Sequence, residues 1–298
     1  MHKYMRAIGF SHFDNKRKLQ ELLTEVVVNP DKRGITLNPE NEMIGEFSKD
    51  FAPGLGITVC GEFENEEKFT YEYYYPYLEG TGISSCEDVS VERHAEKDSY
   101  AGVCDDIKVG ISLIFYLKNR IPYIHAQANE KLPIRGTTLT LSGLSVSGNI
   151  LFPIQKNEEQ VQRVKQATVT RNNLMAAARK GDEDAIETLT LEDMDMYTTI
   201  SKKIQKEDIF SLVDTYFMPY GVECDQYSVL GEIMAVRLVM NQITGEQIYI
   251  LTIYTNELTF DVCINIIDLF GEPQVGRRFK GVVWLQGYIN FPEEENHL

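Results

Sequence analysis

The chain has 298 residues, 43% hydrophobic, 25% charged and 10% aromatic, the balance of a folded globular protein with room for about two domains. Its 45 acidic against 29 basic residues leave a formal charge of −16, a field that repels phosphate backbones and anionic lipid, so nucleic-acid and membrane partners are disfavoured. The most apolar run, IYILTIY at 248–254, is far short of the roughly 20 residues a spanning helix needs, and the opening MHKYMRAIGFSHFDNKRKLQ lacks the apolar centre of a secretory signal, so a cytoplasmic location is expected.

Within NKRKLQELLTEVVVNP, residues Leu19, Leu22, Leu23, Val26 and Val27 recur at helical spacing, with Asp14 or Asn15 as N-cap and Asn29-Pro30 as the stop. The apolar stripe of this helix needs a sheet or a second helix to cover it. From Glu42 the pattern turns to short β-rich runs, EMIGEFS, GITVCGEF, KFTYEYYYPYL, DVSVERH, KVGISLIFYL and TTLTLSGLSVSGNILF, which predict a mostly antiparallel sheet. The polar insert Glu64-Asn65-Glu66-Glu67 reads as a hairpin loop.

Residues 155–173, QKNEEQVQRVKQATVTRNN, carry too few apolar side chains to bury a face and predict an exposed connection or a solvated helix. A helical block follows in NLMAAARK, DEDAIETL, TLEDMDMYTTISKKIQ and KEDIFSLVDTYF. Its boundaries are marked by Gly181, Asp182 and a capping-box-like pair, Thr190 and Asp193. Beyond MPYG at 218–221, four long runs, YSVLGEIMAVRLVM, EQIYILTIYT, LTFDVCINII and RFKGVVWLQGYINF, predict a meander or small barrel-like sheet. A faint correspondence between the two β regions, which would pair Tyr116 with Trp284, raises the question of an internal duplication.

Catalytic and cofactor patterns fail on inspection. GLGITVCG puts Val59 at the third glycine position of a dinucleotide loop and GTG at 80–82 puts Ser85 there, so both glycine pairs read as turns. GLSVSG misses the nucleophile elbow because Ser147 replaces its second glycine, which leaves Ser145 a poor nucleophile. His94, Asp98, Asp105 and Asp106 match no metal-ligand spacing, and the acidic stretch from Asp182 lacks the glycine and closing glutamate of a calcium loop, so no metal and no cofactor are expected. The five cysteines, Cys60, Cys86, Cys104, Cys224 and Cys263, are scattered and odd in number; reduced, mostly buried thiols are expected.

Candidate binding residues come from three places. Strand alternation puts Tyr71, Tyr73, Tyr75 and Tyr77 on one face, which either stacks on a ligand or, by the plainer and favoured reading, packs under the N-terminal helix. Arg277 and Arg278 with Lys280 form the compact basic cluster of the C-terminal region, more often a local ion-pair partner than an anion site. In GVVWLQGYINF both faces are largely apolar, so Trp284 is expected in the core, Gly287 marks a point where the strand phase slips, and Gln286 is either satisfied inside or at the edge of a pocket.

The segment GDEDAIETLTLEDMDMYTTISKKIQKEDIFSLVDTYFMPYGVECDQYSVLGEI, with the opening MHKYMRAIGFS and the closing FKGVVWLQGYINF, resembles a family of uncharacterised cytoplasmic proteins from Gram-positive anaerobic bacteria known as a domain of unknown function. The resemblance implies a lineage-restricted housekeeping or regulatory protein and carries over no catalytic residue. The expected architecture is α+β: an N-terminal α+β domain over 1–154, a polar linker and helical connector over 155–216, and a C-terminal antiparallel β domain over 217–298. The expected function is a non-catalytic binding or interaction module for a protein or small molecule. The alternative is a hydrolase or transferase of unfamiliar type with its site between the two β regions. An OB-like nucleic-acid module loses to charge, since four basic residues after Phe217 face eleven carboxylates.

Overall fold

The computed structural model describes residues 1–13, 15–65, 68–93, 99–106, 111–128, 136–154, 158–204 and 213–292. A 3-10 helix, Lys3–Ile8, leads into helix α1, Lys16–Val28, which is capped by the Asn15 side chain accepting from Arg17 N at 2.8 Å and ends at Asn29. Four antiparallel strands follow as a meander: β1 (Lys32–Leu37), β2 (Met43–Ala52), β3 (Leu55–Asn65) and β4 (Lys68–Leu78). Strand β1, KRGITL, is short and mostly exposed, so no apolar alternation announces it in the sequence. Of the expected Glu64-Asn65-Glu66-Glu67 loop, Glu64 and Asn65 are the end of β3, and Glu66 and Glu67 lie outside the described residues.

A second, larger sheet takes β5 (Val89–Arg93), β6 (Tyr100–Cys104), β7 (Leu113–Leu117) and β8 (Thr138–Leu151) from the first half of the chain. From the second half it takes β9 (Tyr216–Pro219), β10 (Gln226–Met240), β11 (Gln247–Thr255), β12 (Leu258–Asn265), β13 (Leu269–Phe270) and β14 (Arg278–Asn290). Strands β8, β12, β11, β10 and β14 pair in that order, and β14 pairs again with β8, so these five close into a barrel, and the architecture is α+β. The β11–β12 hairpin turns through Asn256 and Glu257, both at positive φ, the backbone geometry that matches strand twist in a two-residue turn.

The three expected spans do not separate the sheets. Strand β8, from the 1–154 span, lies in the barrel between β12, which it meets in parallel, and β14, which it meets antiparallel; β7 extends the sheet from β14 at Gln286 and Gly287. Two apolar clusters result. One fills the barrel and the space under β6 and β7 with Leu141, Val262, Val283, Leu285, Phe279 and Phe115. The other joins α1, the 3-10 helix and the first sheet to the outside of the barrel through Met5, Leu23, Val59, Ile250 and Trp284.

Helix α2 (Arg120–Ala128) falls where no helical periodicity is expected from the sequence. Its proline, Pro122, sits in the first turn, where the missing N–H is no loss. Helices α3 (Glu158–Arg179) and α4 (Glu183–Ile204) take in the first three expected helical pieces, and most of the fourth, through residue 212, lies outside the described residues. Gly181, at φ 87°, closes α3, and Asp182 caps α4 by accepting from Ala185 N at 3.1 Å, as the sequence predicts. Thr190 starts nothing: its hydroxyl donates to Ile186 O at 2.8 Å within a continuous helix, which removes the extended backbone a capping box requires. The end of the fourth piece, Tyr216-Phe217, is strand β9.

Candidate functional site

The tyrosine strand is interrupted by one extra residue. Cys60 pairs with Tyr73 but Gly61 pairs with Tyr71, so Glu72 is bulged and the side chains beyond it change face. Tyr71 therefore points toward α1, where its hydroxyl donates to Gln20 Oε1 at 3.2 Å. Tyr73, Tyr75 and Tyr77 take the other face and look away from the N-terminal helix. The Arg120 guanidinium lies 5.7 Å from the Tyr73 ring centre, Tyr75 packs on Tyr116 at 4.7 Å and donates to Lys118 O, and Tyr77 donates to Asp50. The expectation of four tyrosines on one face is thus corrected to three.

Gln286 is fully buried and bridges the barrel to β4, its Nε2 donating to Pro76 O at 2.8 Å while Leu78 N donates to its Oε1 at 3.3 Å. Beside it, Lys118 Nζ donates to Leu78 O and to Ser142 Oγ at 3.0 Å, and Ser142 donates to Leu78 O at 2.8 Å. Burial holds the Lys118 amine at about 8, well below an ordinary lysine. Tyr75, Gln286, Lys118 and Ser142 thus form one polar knot at the junction of the two sheets. Lys118 and Ser142 carry no motif, and only the fold brings them together. A lysine near neutrality beside a serine is the kind of pair that activates a hydroxyl. Here both donate to the same carbonyl, and Ser142 has no exposed surface.

Trp284 lies in the core at 6% exposure, stacked on Tyr4 at 5.2 Å and 22°, with its indole N–H donating to Asp225 Oδ2 at 2.7 Å. The expected phase slip at Gly287 falls elsewhere. The register breaks between Gly281 and Val283, where β8 carries the extra residue, and Gly287 stays paired with Leu141. Tyr116 packs against Trp284 at 5.3 Å.

The basic cluster serves the backbone. Arg278, 5% exposed, donates to Phe152 O at 3.0 Å and Val213 O at 2.9 Å; Arg277 donates to Glu272 O and lies over the Phe152 ring. Burial lowers the Arg278 pKa. Of the residues weighed as metal ligands, His94 and Asp98 lie outside the described residues, Asp106 accepts from Ser85 Oγ at 2.6 Å, and Asp105 accepts from Ser112. Ser145 donates to Ser147 O and Val282 O, a strand hydroxyl satisfied by the backbone.

A cleft of about 570 Å³ opens where β5 and β6 meet α2 and the ends of β8 and β14, a size within the range of small-ligand sites. Val89, Val91, Ile289 and Phe291 give it an apolar floor, and Tyr123, Thr137, Ser90, Asp88 and Asp105 supply polar groups. Because Val89 pairs with Cys104, Asp88 and Asp105 stand at the same end. None of the binding residues singled out in the sequence lines this cleft. It is built from β5, α2 and the last residues of β14, which the sequence pattern gave no reason to bring together.

Residues 5–287 match a family model described as "Domain of unknown function, E. rectale Gene description (DUF3881)". The chain belongs to this family. No curated protein and no solved structure matches it. Among the described residues, no helix of this family member is long and apolar enough to cross a membrane.

Proposed function

We propose that the protein is a non-catalytic binding module of the cytoplasm whose ligand occupies the cleft between β5, β6, α2 and the end of β14. The observation that carries this reading is the cleft itself, with an apolar floor and two carboxylates gathered at one end. Thiol chemistry supports it from the other side: burial pushes the thiols of Cys60 and Cys263 up and that of Cys104 to about 11, so these three stay protonated and unreactive near neutrality. The test is amide shift mapping of the labelled protein against a small-fragment library. Hits that move the Val89, Val91, Val103 and Tyr123 amides support the reading, and a library that leaves them all unmoved overturns it.

A second reading, a hydrolase or transferase acting at the junction of the two β regions, is favoured by Lys118 beside Ser142. It predicts hydrolysis of an activated ester with a rate that rises through pH 8 and disappears in both Lys118→Met and Ser142→Ala. Equal rates in all three proteins dispose of it.

A further inference from the structure

Strand β5 is the last strand of its sheet, and among the described residues its outer edge carries no partner strand. In an antiparallel pair, alternate residues direct both N–H and C=O away from the neighbour, so the four residues from Val89 to Glu92 offer two such positions outward. Val89, Ser90 and Val91 of this strand line the cleft. A compact ligand would leave the outward N–H and C=O groups to water, whereas an extended chain would satisfy them and lay every second side chain onto Val89, Val91 and Phe291. The paired carboxylates of Asp88 and Asp105, both exposed at one end, complement a positive charge there. The net charge of −16 acts the same way at long range.

Resting on the reading of the cleft as a binding site, we infer that its occupant is a short extended peptide segment that adds to the edge of β5 and places a lysine or arginine against Asp88 and Asp105. A five-residue edge matches roughly 16 Å of extended chain, so five or six residues suffice. β-Branched or aromatic side chains at alternate positions fit the floor.

The probe is a fluorescein-labelled hexapeptide of alternating valine and threonine with lysine at one end, made in both polarities and titrated against the full-length protein by anisotropy. One polarity binds, and amide exchange across Val89–Arg93 slows when it does. N-methylation at alternate peptide residues in one register weakens binding by at least about tenfold, while the other register is tolerated, because only one set of amides faces β5. Replacing the lysine by glutamate, or Asp88→Lys in the protein, weakens it by about tenfold, and the loss shrinks at high salt. Tolerance of N-methylation in both registers, or equal affinity of the glutamate peptide, overturns the inference. So does fragment binding in the cleft with no peptide binding, which leaves the cleft reading standing; a cleft that takes neither fragments nor peptide fails both. A concentration-dependent dimer that the peptide dissolves would assign the edge to a second copy of this chain and also overturn the basic-peptide occupant.

Discussion

The ring of Phe115 on β7 lies across the bare Cα of Gly287 on β14, so closely that an added Cβ would overlap it, and Gly102 on β6 meets the same ring from the other side. Phe115 has no exposed surface, and its burial is worth about 1.5–3 kcal/mol. Gly287→Ala is therefore expected to lower stability by about 1–3 kcal/mol in a urea titration, because the ring can move only by leaving its packed position. Phe115→Leu alone costs about 1–2 kcal/mol, but combined with Gly287→Ala the losses add to less than their sum. Additive losses would show that the ring does not occupy the glycine face.

The first sheet is tied to α2 by an ion pair almost out of water: Arg120 Nε donates to Glu46 Oε1 at 2.5 Å, with side-chain exposures of 3% and 12%. Removing one partner strands the other charge. Arg120→Met should cost about 3–5 kcal/mol, and Arg120→Met with Glu46→Leu much less than that. A double-mutant cycle by denaturant unfolding measures the coupling; a coupling near zero would mean that solvent reaches the pair.

Much of the local structure was legible in the sequence, because it depends on near neighbours. The periodicity of Leu22, Leu23 and Val26, the Asn15 and Asp182 caps and the Gly181 stop each act over a single turn, and the structure keeps them. What escaped depends on pairing. The bulge at Glu72 that turns Tyr71 away from Tyr73 is set by how β3 and β4 pair, and neither strand alone encodes it. The barrel likewise needs β8 from one half of the chain between β12 and β14 from the other. The cleft is less legible still: Val89, Tyr123 and Phe291 lie in three elements that are unremarkable when read one at a time.

Thiol reactivity follows from burial. Cys86 and Cys224 are exposed, whereas Cys60, Cys104 and Cys263 are buried. In the native protein an aromatic disulfide reagent should titrate two thiols, Cys86 faster than Cys224, whose pKa is raised by partial burial and then by Asp225. The remaining three should react on unfolding, at the same denaturant concentration at which Trp284 emission moves to the red, since Trp284 packs against the cluster that holds Cys60 and Cys263. Release of a third thiol before that transition would contradict the packing.

Lys118 gives the protein an unusual pH dependence. Its amine titrates at about 8 when folded and near 10.5 when unfolded. Between those values the unfolded chain holds the proton that the native state has lost, so the unfolded state binds more protons and stability rises with pH. The gain is on the order of 2 kcal/mol across the window. Buried tyrosines act in the opposite sense above it. Burial first, and then Glu46 for Tyr75 or Tyr73 for Tyr116, raises these hydroxyls well above 10. From about pH 10 upward the unfolded chain loses protons that the native state keeps, and stability falls. Lys118→Met removes only the first effect. The difference in unfolding free energy between wild type and Lys118→Met should therefore climb from pH 8 to pH 10 in favour of wild type. A flat difference across that range would place the amine in water and dissolve the polar knot with Ser142 and Leu78.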